Sequence, residues 1–394
     1  MLAFSLFTAL WLPQGPVVHF DKGHEALNIP FEINSDKIYL QVKVDGKGPF
    51  WFVLDSGSPS TVVDMQVARK LGLRLSNPQR TGGAGEGSTS MATTQFDTVS
   101  LPGLSYKPSR PLAIDVDAVM QAPEGRHVQG LVGGDFMART IVEIDYAQRR
   151  VSFRDPATYR HSGSGFTVPI RVAGFMLADA TLAMLDGKRL KGTFVVDTGA
   201  RLAVTLNTPF VDENHLLTPS MSRVVVGSGL GGKVVHGLGR LAWLQLGDAR
   251  LERPVATFSQ DKSGVFAATQ IQGLIGAEVL KRFRVTIDYP EKKLYLDPAG
   301  TPEPFEFDAS GLFLIAKGSD LRKYEILSVA PRTPAAEAGI RDGDQIDYVD
   351  GRPAADLSLE QIRQRLRRIG ATVSLVVSRD GKQRTVSLRL RRVV

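Results

Sequence analysis

Short runs of apolar and polar residues, rather than long helical periods, organise most of this chain. Residues 37–44, KIYLQVKV, alternate as expected of a half-buried strand, and Asp45-Gly46 after them is a hairpin turn signal. Residues 49–55, PFWFVLD, form a continuous apolar run that is typical of an inner strand and ends on Asp55. Helical patterns are short where they occur, as in residues 65–72, so the chain is predicted to be mainly β.

The run that ends on Asp55 has a second copy. In both copies an apolar run leads into Asp, then Ser or Thr, then Gly: Asp55-Ser56-Gly57 and Asp197-Thr198-Gly199 begin 142 residues apart. The segments GLVGG, from Gly130, and GLIGA, from Gly273, follow at offsets of 75 and 76 residues. A single triplet of this kind is a weak signal. A repeat of about 140 residues with several matching features indicates two lobes of one duplicated fold.

The repeat divides most of the chain into a first lobe, residues 17–156, and a second lobe, residues 157–300. Residues 305–394 do not belong to it and follow a linker, PAGTPEP. This last segment predicts a strand after Gly311, a second strand, an amphipathic helix that begins at Ser358, and two alternating strands. It is therefore expected to form a small α+β domain.

Each lobe also contains a glycine-rich segment, residues 81–94 and residues 224–237, at a similar distance after its Asp. Strand-like residues flank both segments, so we expect two mobile β-hairpins over a cleft. Gly227 to Lys233 also fits the phosphate-loop pattern G-x-x-x-x-G-K. However, Val234 stands where magnesium binding needs Ser or Thr, and no helix pattern follows. A nucleotide site is therefore not predicted.

The composition narrows the chemistry. The chain of 394 residues has no cysteine, which excludes disulfides, thiol catalysis and cysteine-ligated zinc. Its formal charge of +7 arises largely in the last third, without the interleaved aromatic residues of a nucleic-acid surface, so a solvated basic face is expected and no nucleic-acid partner. The six histidines are scattered and show no metal-ligand spacing. Asp145 and Asp288 recur symmetrically before Tyr and are interpreted as turn residues.

Residues 1–16 are apolar through Leu12 and break at Pro13. Twelve apolar residues are too few for a membrane-spanning helix but suit the core of a secretory signal. The expectation is export to the periplasm or the extracellular space, with weak membrane association through this segment left open. A buried N-terminal strand and a cytoplasmic location are the alternatives.

Two aspartates brought face to face by a pseudo-twofold axis cannot both ionise cheaply, so such a pair holds one proton over a wide pH range. The ionised carboxylate can take a proton from a water between them while the protonated one donates to a scissile carbonyl. Asp55 and Asp197 are therefore the candidate catalytic pair for amide hydrolysis, without metal or cofactor. The alternative is that each carboxylate only caps a turn at a strand end.

With both Asp-Ser/Thr-Gly motifs and the segments GLVGG and GLIGA, residues 30–298 resemble the two-lobed aspartic proteases of the retropepsin and pepsin type. TPAAEAGIRDGDQI and DYVDG in the last segment resemble a PDZ domain, as in bacterial members of that group. The resemblance implies two retropepsin-like β lobes, an acid protease fold, followed by a small α+β PDZ domain. It also implies an aspartic endopeptidase whose protein or peptide substrate lies in the cleft between the lobes.

The resemblance assigns roles to further residues. Asp55 and Asp197 match the catalytic pair, and their loops are supported by Ser56, Gly57, Ser58, Thr198 and Gly199. The flap and substrate-binding residues are expected to be Gly83, Gly85, Glu86, Gly87, Gly229, Leu230 and Gly231. A PDZ peptide groove, open to a C-terminal peptide, is expected at Gly311, Leu312, Phe313, Leu314 and Ile362, with backbone amides near Gly311 holding the terminal carboxylate.

A second function stays open at this point. The two-lobed fold could bind peptides without cleaving them, with the PDZ domain as the working part. Both aspartates and both following hydroxyls are present, which favours the enzyme.

Overall fold

The computed structural model describes residues 18–219, 221–300 and 303–394. The predicted N-terminal signal segment lies outside these residues. The described chain is mostly β, as predicted, and forms two lobes followed by a C-terminal domain. No helix within these ranges is both long enough and apolar enough to cross a bilayer.

Lobe 1 contains fourteen strands and three short helices among the described residues. They are β1 (Val18–Phe20), β2 (Glu25–Pro30), β3 (Glu32–Asn34), β4 (Lys37–Val44), β5 (Lys47–Leu54), β6 (Val62–Asp64), α1 (Met65–Lys70), β7 (Leu75–Thr81), β8 (Thr89–Thr94), β9 (Val99–Leu101), β10 (Leu104–Tyr106), β11 (Leu112–Ile114), α2 (Val116–Glu124), β12 (Gly130–Val132), α3 (Gly134–Met137), β13 (Ile141–Asp145) and β14 (Arg150–Arg154).

Lobe 2 repeats this plan with fewer strands. Its elements are β15 (Phe166–Val172), β16 (Met176–Met184), β17 (Arg189–Asp197), β18 (Val204–Leu206), α4 (Thr208–Glu213), β19 (Ser222–Gly229), β20 (Gly232–Leu246), β21 (Ala249–Glu252), β22 (Val255–Phe258), a 3₁₀ turn (Val265–Ala267), β23 (Gly273–Gly276), α5 (Ala277–Leu280), β24 (Phe283–Asp288) and β25 (Lys293–Pro298).

The C-terminal domain has a sheet of its own. It contains β26 (Leu312–Lys317), β27 (Lys323–Val329), α6 (Pro334–Glu337), β28 (Gln345–Val349), β29 (Arg352–Pro353), a 3₁₀ turn (Ala354–Asp356), α7 (Leu359–Leu366), β30 (Thr372–Arg379) and β31 (Lys382–Arg389).

The local signals in the sequence account for many of these boundaries. Asp45 and Gly46, both at positive φ, form the two-residue turn between β4 and β5. Asp64 caps α1 by accepting hydrogen bonds from the amides of Gln66 and Val67. Ser358 begins α7 in a capping box with Gln361. The predictions of a turn at 45–46 and of a helix start at Ser358 are confirmed.

The two copies of the repeat fold alike around their aspartates. In lobe 1, β12 runs parallel to β5, with Val132 beside Leu54, and antiparallel to β6. In lobe 2, β23 runs parallel to β17, with Gly276 beside Asp197, and antiparallel to β18. The segments GLVGG and GLIGA therefore pass directly beside the strand that delivers each aspartate. A Cβ at Gly133 would lie 2.3 Å from the carbonyl oxygen of Ser60, which explains why this crossing needs glycine.

The lobes share one sheet and one core. β13 of lobe 1 pairs antiparallel with β24 of lobe 2, so a 14-stranded sheet runs from the lobe 2 hairpin to β2. A single hydrophobic cluster extends through both lobes, with Phe52, Phe136, Phe153, Phe194 and Phe258 among its fully buried side chains. The C-terminal domain has a separate core beside its six-stranded sheet, in which β26 is an edge strand. The two lobes are thus one structural unit, and the C-terminal domain is another.

Candidate active site

The repeat brings Asp55 and Asp197 together. A Cβ added to Gly57 would lie 2.5 Å from Oδ2 of Asp197, and one added to Gly199 would lie 2.5 Å from Oδ1 of Asp55. Each carboxylate therefore lies against the glycine of the opposite loop. This crossed arrangement places the two carboxyl groups side by side at the boundary between the lobes, each partly exposed.

The two loops are held to each other by their hydroxyl residues. The Ser56 amide donates to the Thr198 hydroxyl, and the Thr198 amide donates to the Ser56 hydroxyl, both at 3.0 Å. The Ser56 hydroxyl donates to the carbonyl of Val196 at 2.8 Å, and that of Thr198 donates to the carbonyl of Leu54 at 2.7 Å. Both side chains are fully buried. Because every one of these bonds crosses between lobes, the position of each aspartate depends on the other lobe.

Each aspartate is also fixed within its own loop. The Gly57 amide donates to Oδ1 of Asp55 at 2.9 Å, and the Gly199 amide donates to Oδ1 of Asp197 at 2.7 Å. The inner carboxylate oxygens are thereby oriented by backbone groups, which do not depend on side-chain rotamers.

The pair has the asymmetric protonation expected of two close carboxyl groups. Burial, followed by the negative charge of Asp55, raises the pKa of Asp197 well above its usual range. Burial also raises the pKa of Asp55, but a hydrogen bond from Asp197 and one from the Gly57 amide offset part of that rise. The pair is therefore expected to hold one proton, which the stronger upward shift of the Asp197 pKa places on Asp197.

A buried ion pair lies behind the lobe 1 loop. Nζ of Lys37 is 2.6 Å from Oε1 of Glu124, and both side chains are less than 9% exposed. Tyr39 and Asn34 donate to the other oxygen of Glu124 at 3.1 and 3.2 Å. Burial alone would raise the pKa of Glu124, but the attraction of Lys37 outweighs it and holds this pKa below its usual value. The charge of Lys37 also lowers the pKa of both active-site aspartates.

Neither Lys37 nor Glu124 stands in a motif, and 87 residues separate them. Lys37 begins the polar face of β4, which it shares with Gln41 and Lys43, so the strand pattern gives no signal for a buried pair.

The hydroxyl of Ser58 bonds to its own loop and not to Asp55. Its hydroxyl donates to the carbonyl of Ser60 at 2.8 Å and thereby shapes the loop before β6. Only the backbone of Ser58 acts on Asp55, as a hydrogen bond that lowers the pKa of that carboxyl. The outer oxygen of Asp55 is therefore not supported by this hydroxyl.

The two glycine-rich segments form hairpin tips that meet. Residues 82–88 connect β7 to β8, and residues 230–231 connect β19 to β20. The Gly87 amide donates to the Gly231 carbonyl at 2.7 Å, and the Gly231 amide donates to the Ala84 carbonyl at 2.8 Å. A Cβ at Gly231 would lie 2.2 Å from the Gly85 carbonyl oxygen, so the tips approach as closely as glycine allows.

The remaining predicted flap residues take part in the same contact. Gly83 and Gly229 face Leu230 and Ala84 across it. Glu86 accepts a hydrogen bond from the backbone of Lys262, and its own carbonyl accepts one from Ser263 at 3.1 Å. The predicted flap residues therefore lie at the junction of the two hairpins.

The predicted peptide groove has an unexpected lining. Leu312 to Leu314 form the start of β26, directly after Gly311, and Ile362 is fully buried in the core of the domain. Its neighbour Arg363 takes the position on α7 that faces β26, and its guanidinium donates to the carbonyl of Leu314 at 2.8 Å. The turn of α7 therefore places position 362 in the core of the domain and position 363 toward the strand.

No group of three His, Asp or Glu side chains with the geometry of a metal site occurs in the part of the chain that the structure describes. The polar groups that converge at the aspartate pair are the carboxylates themselves and backbone amides.

Comparison with known families agrees with this architecture. The model of the aspartyl protease family matches residues 40–136 and again residues 181–279. The PDZ domain model matches residues 313–390. Both aspartates and both hairpin tips fall within the matched segments.

Among curated proteins, none matches this chain. Among solved structures, the chain is similar to a photosystem II D1 C-terminal processing protease, with 31% identity and a TM-score of 0.21. That similarity covers 22% of this chain and 23% of the other, so less than a quarter of that protein's length is spanned. The two matched protease segments and the matched C-terminal segment together show that this chain belongs to the aspartyl protease family and carries a C-terminal PDZ domain.

Proposed function

We propose that the protein is an aspartic endopeptidase that hydrolyses peptide bonds through a water held between Asp55 and Asp197. The observation that carries this proposal is the crossed packing of each carboxylate against the glycine of the opposite loop. A cap of a local turn would not need to lie against the other lobe. The family comparison supports a peptidase, and the geometry supplies the residues for an acid–base mechanism.

The chemistry follows from the protonation of the pair. The ionised Asp55 accepts a proton from the water while the oxygen of that water attacks the scissile carbonyl carbon. At the same time Asp197 donates its proton to the carbonyl oxygen. A neutral tetrahedral diol results. In the second step one carboxyl group protonates the amide nitrogen and the other accepts a hydroxyl proton, so the C–N bond breaks and an acid and an amine are released. The protons balance over the cycle, and no covalent enzyme intermediate forms.

The assignment of acid and base rests on the environments of the two groups. Burial, and then the charge of Asp55, raises the pKa of Asp197 more than burial raises that of Asp55. Asp197 is therefore the proton donor of the first step and Asp55 the base. The exchange of hydrogen bonds between Ser56 and Thr198 keeps this geometry from relaxing when the charge moves.

The substrate is an extended peptide that passes between the aspartate pair and the meeting hairpin tips. The contact between Gly87 and Gly231 must open to admit a polypeptide and can close again around it. This supports an endopeptidase acting on unfolded or flexible segments, because a folded domain would not fit beneath two joined hairpins.

The test is cleavage of an unfolded protein, such as reduced and alkylated casein, by the purified chain between about pH 3 and pH 8. Asp55→Asn and Asp197→Asn are each expected to abolish cleavage. Asp145→Asn serves as the matched control because Asp145 accepts a hydrogen bond within its hairpin turn and otherwise forms an ion pair of 3.7 Å with the exposed Arg284. A peptide that carries a hydroxyl-bearing tetrahedral carbon in place of the scissile carbonyl should inhibit cleavage by the unsubstituted protein. Cleavage that survives either active-site substitution would contradict the proposal.

A further inference from the structure

The PDZ domain is docked on the protease lobes through α7. Oε2 of Glu360 accepts a hydrogen bond from the Ser35 amide at 3.2 Å, and Nη1 of Arg363 donates to the Ser35 hydroxyl at 3.0 Å. Arg367, next to the end of the helix, lies 3.7 Å from Asp36. Ser35 and Asp36 form the turn between β3 and β4 and are both buried. We call these two residues the 35–36 turn.

The 35–36 turn joins three parts of the molecule. Oδ1 of Asp36 is also 2.9 Å from Nζ of Lys281, which follows α5 in lobe 2. One buried carboxylate thus binds a cation from lobe 2 and a cation from the PDZ domain. Burial opposes ionisation of Asp36, but Lys281 and Arg367 together hold its pKa below the usual value. The carboxylate is therefore charged, with Oδ1 hydrogen-bonded to Lys281 and Oδ2 facing the charge of Arg367 without a hydrogen bond.

The packing beside this turn is close. A Cβ at Gly125, which ends α2 at positive φ, would lie 2.6 Å from Cβ of Leu359 in α7. Only a glycine fits between these two helices. The edge strand β26 also packs against α2. The contact between the PDZ domain and lobe 1 thus includes tight apolar packing as well as ion pairs.

The groove between β26 and α7 is filled from within the chain. A peptide added to the edge strand would need the backbone groups of β26. Arg363 already occupies the carbonyl of Leu314. The cavity left between this strand, Arg201 and Arg367 is about 50 Å³, which holds a few water molecules but no peptide segment.

The loop that would bind a terminal carboxylate is occupied as well. Oδ1 of Asp308 accepts hydrogen bonds from the amides of Ser310, Gly311 and Leu312 at 2.9, 2.6 and 3.3 Å. An internal carboxylate therefore stands where the amides near Gly311 were expected to hold the carboxylate of a ligand. A free peptide C-terminus would have to displace it.

From these contacts we infer that the PDZ groove is reserved for the protease unit of the same chain. The domain acts as a brace that binds the 35–36 turn and, through Asp36, ties lobe 1 to lobe 2. A peptide with a free carboxylate enters only when the turn leaves the groove. The same turn leads directly into Lys37, whose charge acts on the aspartate pair, so undocking is expected to change catalysis as well. That last consequence rests on the proposed function, whereas the docking itself does not.

Docking is tested by spin-label distances between the two units. The chain has no cysteine, so Lys43→Cys on β4 and Lys382→Cys on β31, both exposed, give one labelled pair. The wild-type background is expected to give a single narrow distance. Asp36→Asn should broaden it while leaving the PDZ domain intact, because the change lies in lobe 1 and Asn tolerates positive φ. Arg363→Met with Arg367→Met should broaden it from the other side.

Arg368→Met is the matched control, since Arg368 follows the same helix and is exposed. It should leave the distance unchanged. A broad distance distribution in the wild-type background would overturn the inference. So would a distribution that stays narrow in both Asp36→Asn and the double arginine variant.

Ligand competition gives the second readout. The probe is a fluorescein-labelled mixture of decapeptides that end in valine with a free carboxylate. If the docked form is at least about nine-tenths populated, Asp36→Asn should bind this probe about tenfold more tightly than the unsubstituted protein. Absence of binding to both would overturn the inference that undocking opens the groove, because Asp308 would then keep the loop amides in either form. Equal, measurable affinity for both proteins would overturn it. Neither readout requires catalysis, so failure here is distinct from failure of the proposed peptidase activity.

Discussion

Ser56 and Thr198 exchange amide-to-hydroxyl hydrogen bonds of 3.0 Å across the boundary between the lobes. Each hydroxyl in turn donates to a carbonyl in the strand of the other lobe. Four hydrogen bonds with no exposed partner therefore hold the two aspartate loops in one arrangement. The residue that follows each aspartate is as much a part of the lobe interface as of the active site.

Thr198→Ala removes the hydroxyl that accepts from the Ser56 amide and donates to the Leu54 carbonyl. Leaving these buried groups unsatisfied should lower the free energy of unfolding by about 1–3 kcal/mol. The loops should also lose their alignment, so kcat for peptide cleavage should fall. Thr198→Ser keeps the hydroxyl and is expected to retain most of the free energy of unfolding and most of kcat. Urea titration and cleavage rates check the pair, and equal behaviour of the two variants would contradict this account.

The aspartate pair should make stability depend on pH. The pKa of Asp197 is higher in the folded than in the unfolded chain, mainly because of burial and then the charge of Asp55. Below about pH 4 both states hold this proton. As the pH rises, the unfolded state releases the proton first, and the folded state loses stability relative to it.

Asp197→Asn removes that loss. It should raise the free energy of unfolding at pH 7, on the order of 1 kcal/mol, while abolishing cleavage. The gain should shrink toward pH 3.5. Denaturant titrations of both proteins at several pH values provide the measurement. A gain that is larger at pH 3.5 than at pH 7 would show that the pair is not strained by its charge.

Lys37→Met should be costly because it leaves Glu124 buried without its cation. Removal of one member of a buried ion pair typically costs about 3–5 kcal/mol. Lys37→Met with Glu124→Gln should recover part of this loss. Lys43→Met, an exposed position on the same strand, is the control and should be near neutral. Thermal or denaturant unfolding compares the four proteins, and a cost in Lys37→Met no larger than in Lys43→Met would refute the importance of the pair.

The same substitution should shift the activity profile. Because the charge of Lys37 lowers the pKa of both aspartates, its loss raises them, and both limbs of the kcat/KM profile should move to higher pH. Lys37→Arg keeps the charge and should keep the profile. An unchanged profile in Lys37→Met would mean that Lys37 only stabilises the fold.

The hairpin contact can be tested with one pair of glycines on the lobe 2 hairpin. Gly231→Ala places a Cβ against the backbone of Gly85, so the tips cannot close, and kcat/KM should fall by about tenfold. Gly227→Ala meets no atom within 4 Å and should leave kcat/KM unchanged. Steady-state kinetics on one peptide substrate separate the two. Similar values for both would show that closure of the tips does not contribute to catalysis.

Much of the site follows from the repeat. Two copies of an apolar strand that ends on an aspartate, each with a glycine-rich crossing segment, require that Asp55 and Asp197 occupy equivalent places. The turn at Asp45-Gly46 and the cap at Ser358 are local and were read from neighbouring residues alone. Turns and helix caps of this kind can be predicted from the sequence because the interacting residues lie within a few positions of each other in the chain.

The parts that were missed depend on distant partners. Lys37 and Glu124 are 87 residues apart, and Arg363 meets a turn 328 residues away. No periodicity specifies which face of the short helix α7 meets the lobes, so the contacts of Arg363 with Ser35 and Leu314 were not predicted. Asp308 could have been found, because an Asp two residues before Ser310 is typical of a turn in which the side chain caps backbone amides. The hydroxyl of Ser58 donates to the carbonyl of Ser60, an acceptor that the motif itself does not indicate.

The continuous sheet through β13 and β24 has a consequence for how such a molecule could be assembled. Val142, Glu143 and Ile144 pair on one side with β14 of their own lobe and on the other side with β24 in the other half of the chain. Either half alone would end in an edge strand with unpaired backbone N–H and C=O groups, which can pair with another strand. A chain cut in the connector between β14 and β15 should therefore reassociate from its two fragments. A single half, equipped with its own aspartate loop, has the edge it would need to pair with a copy of itself around a true twofold axis.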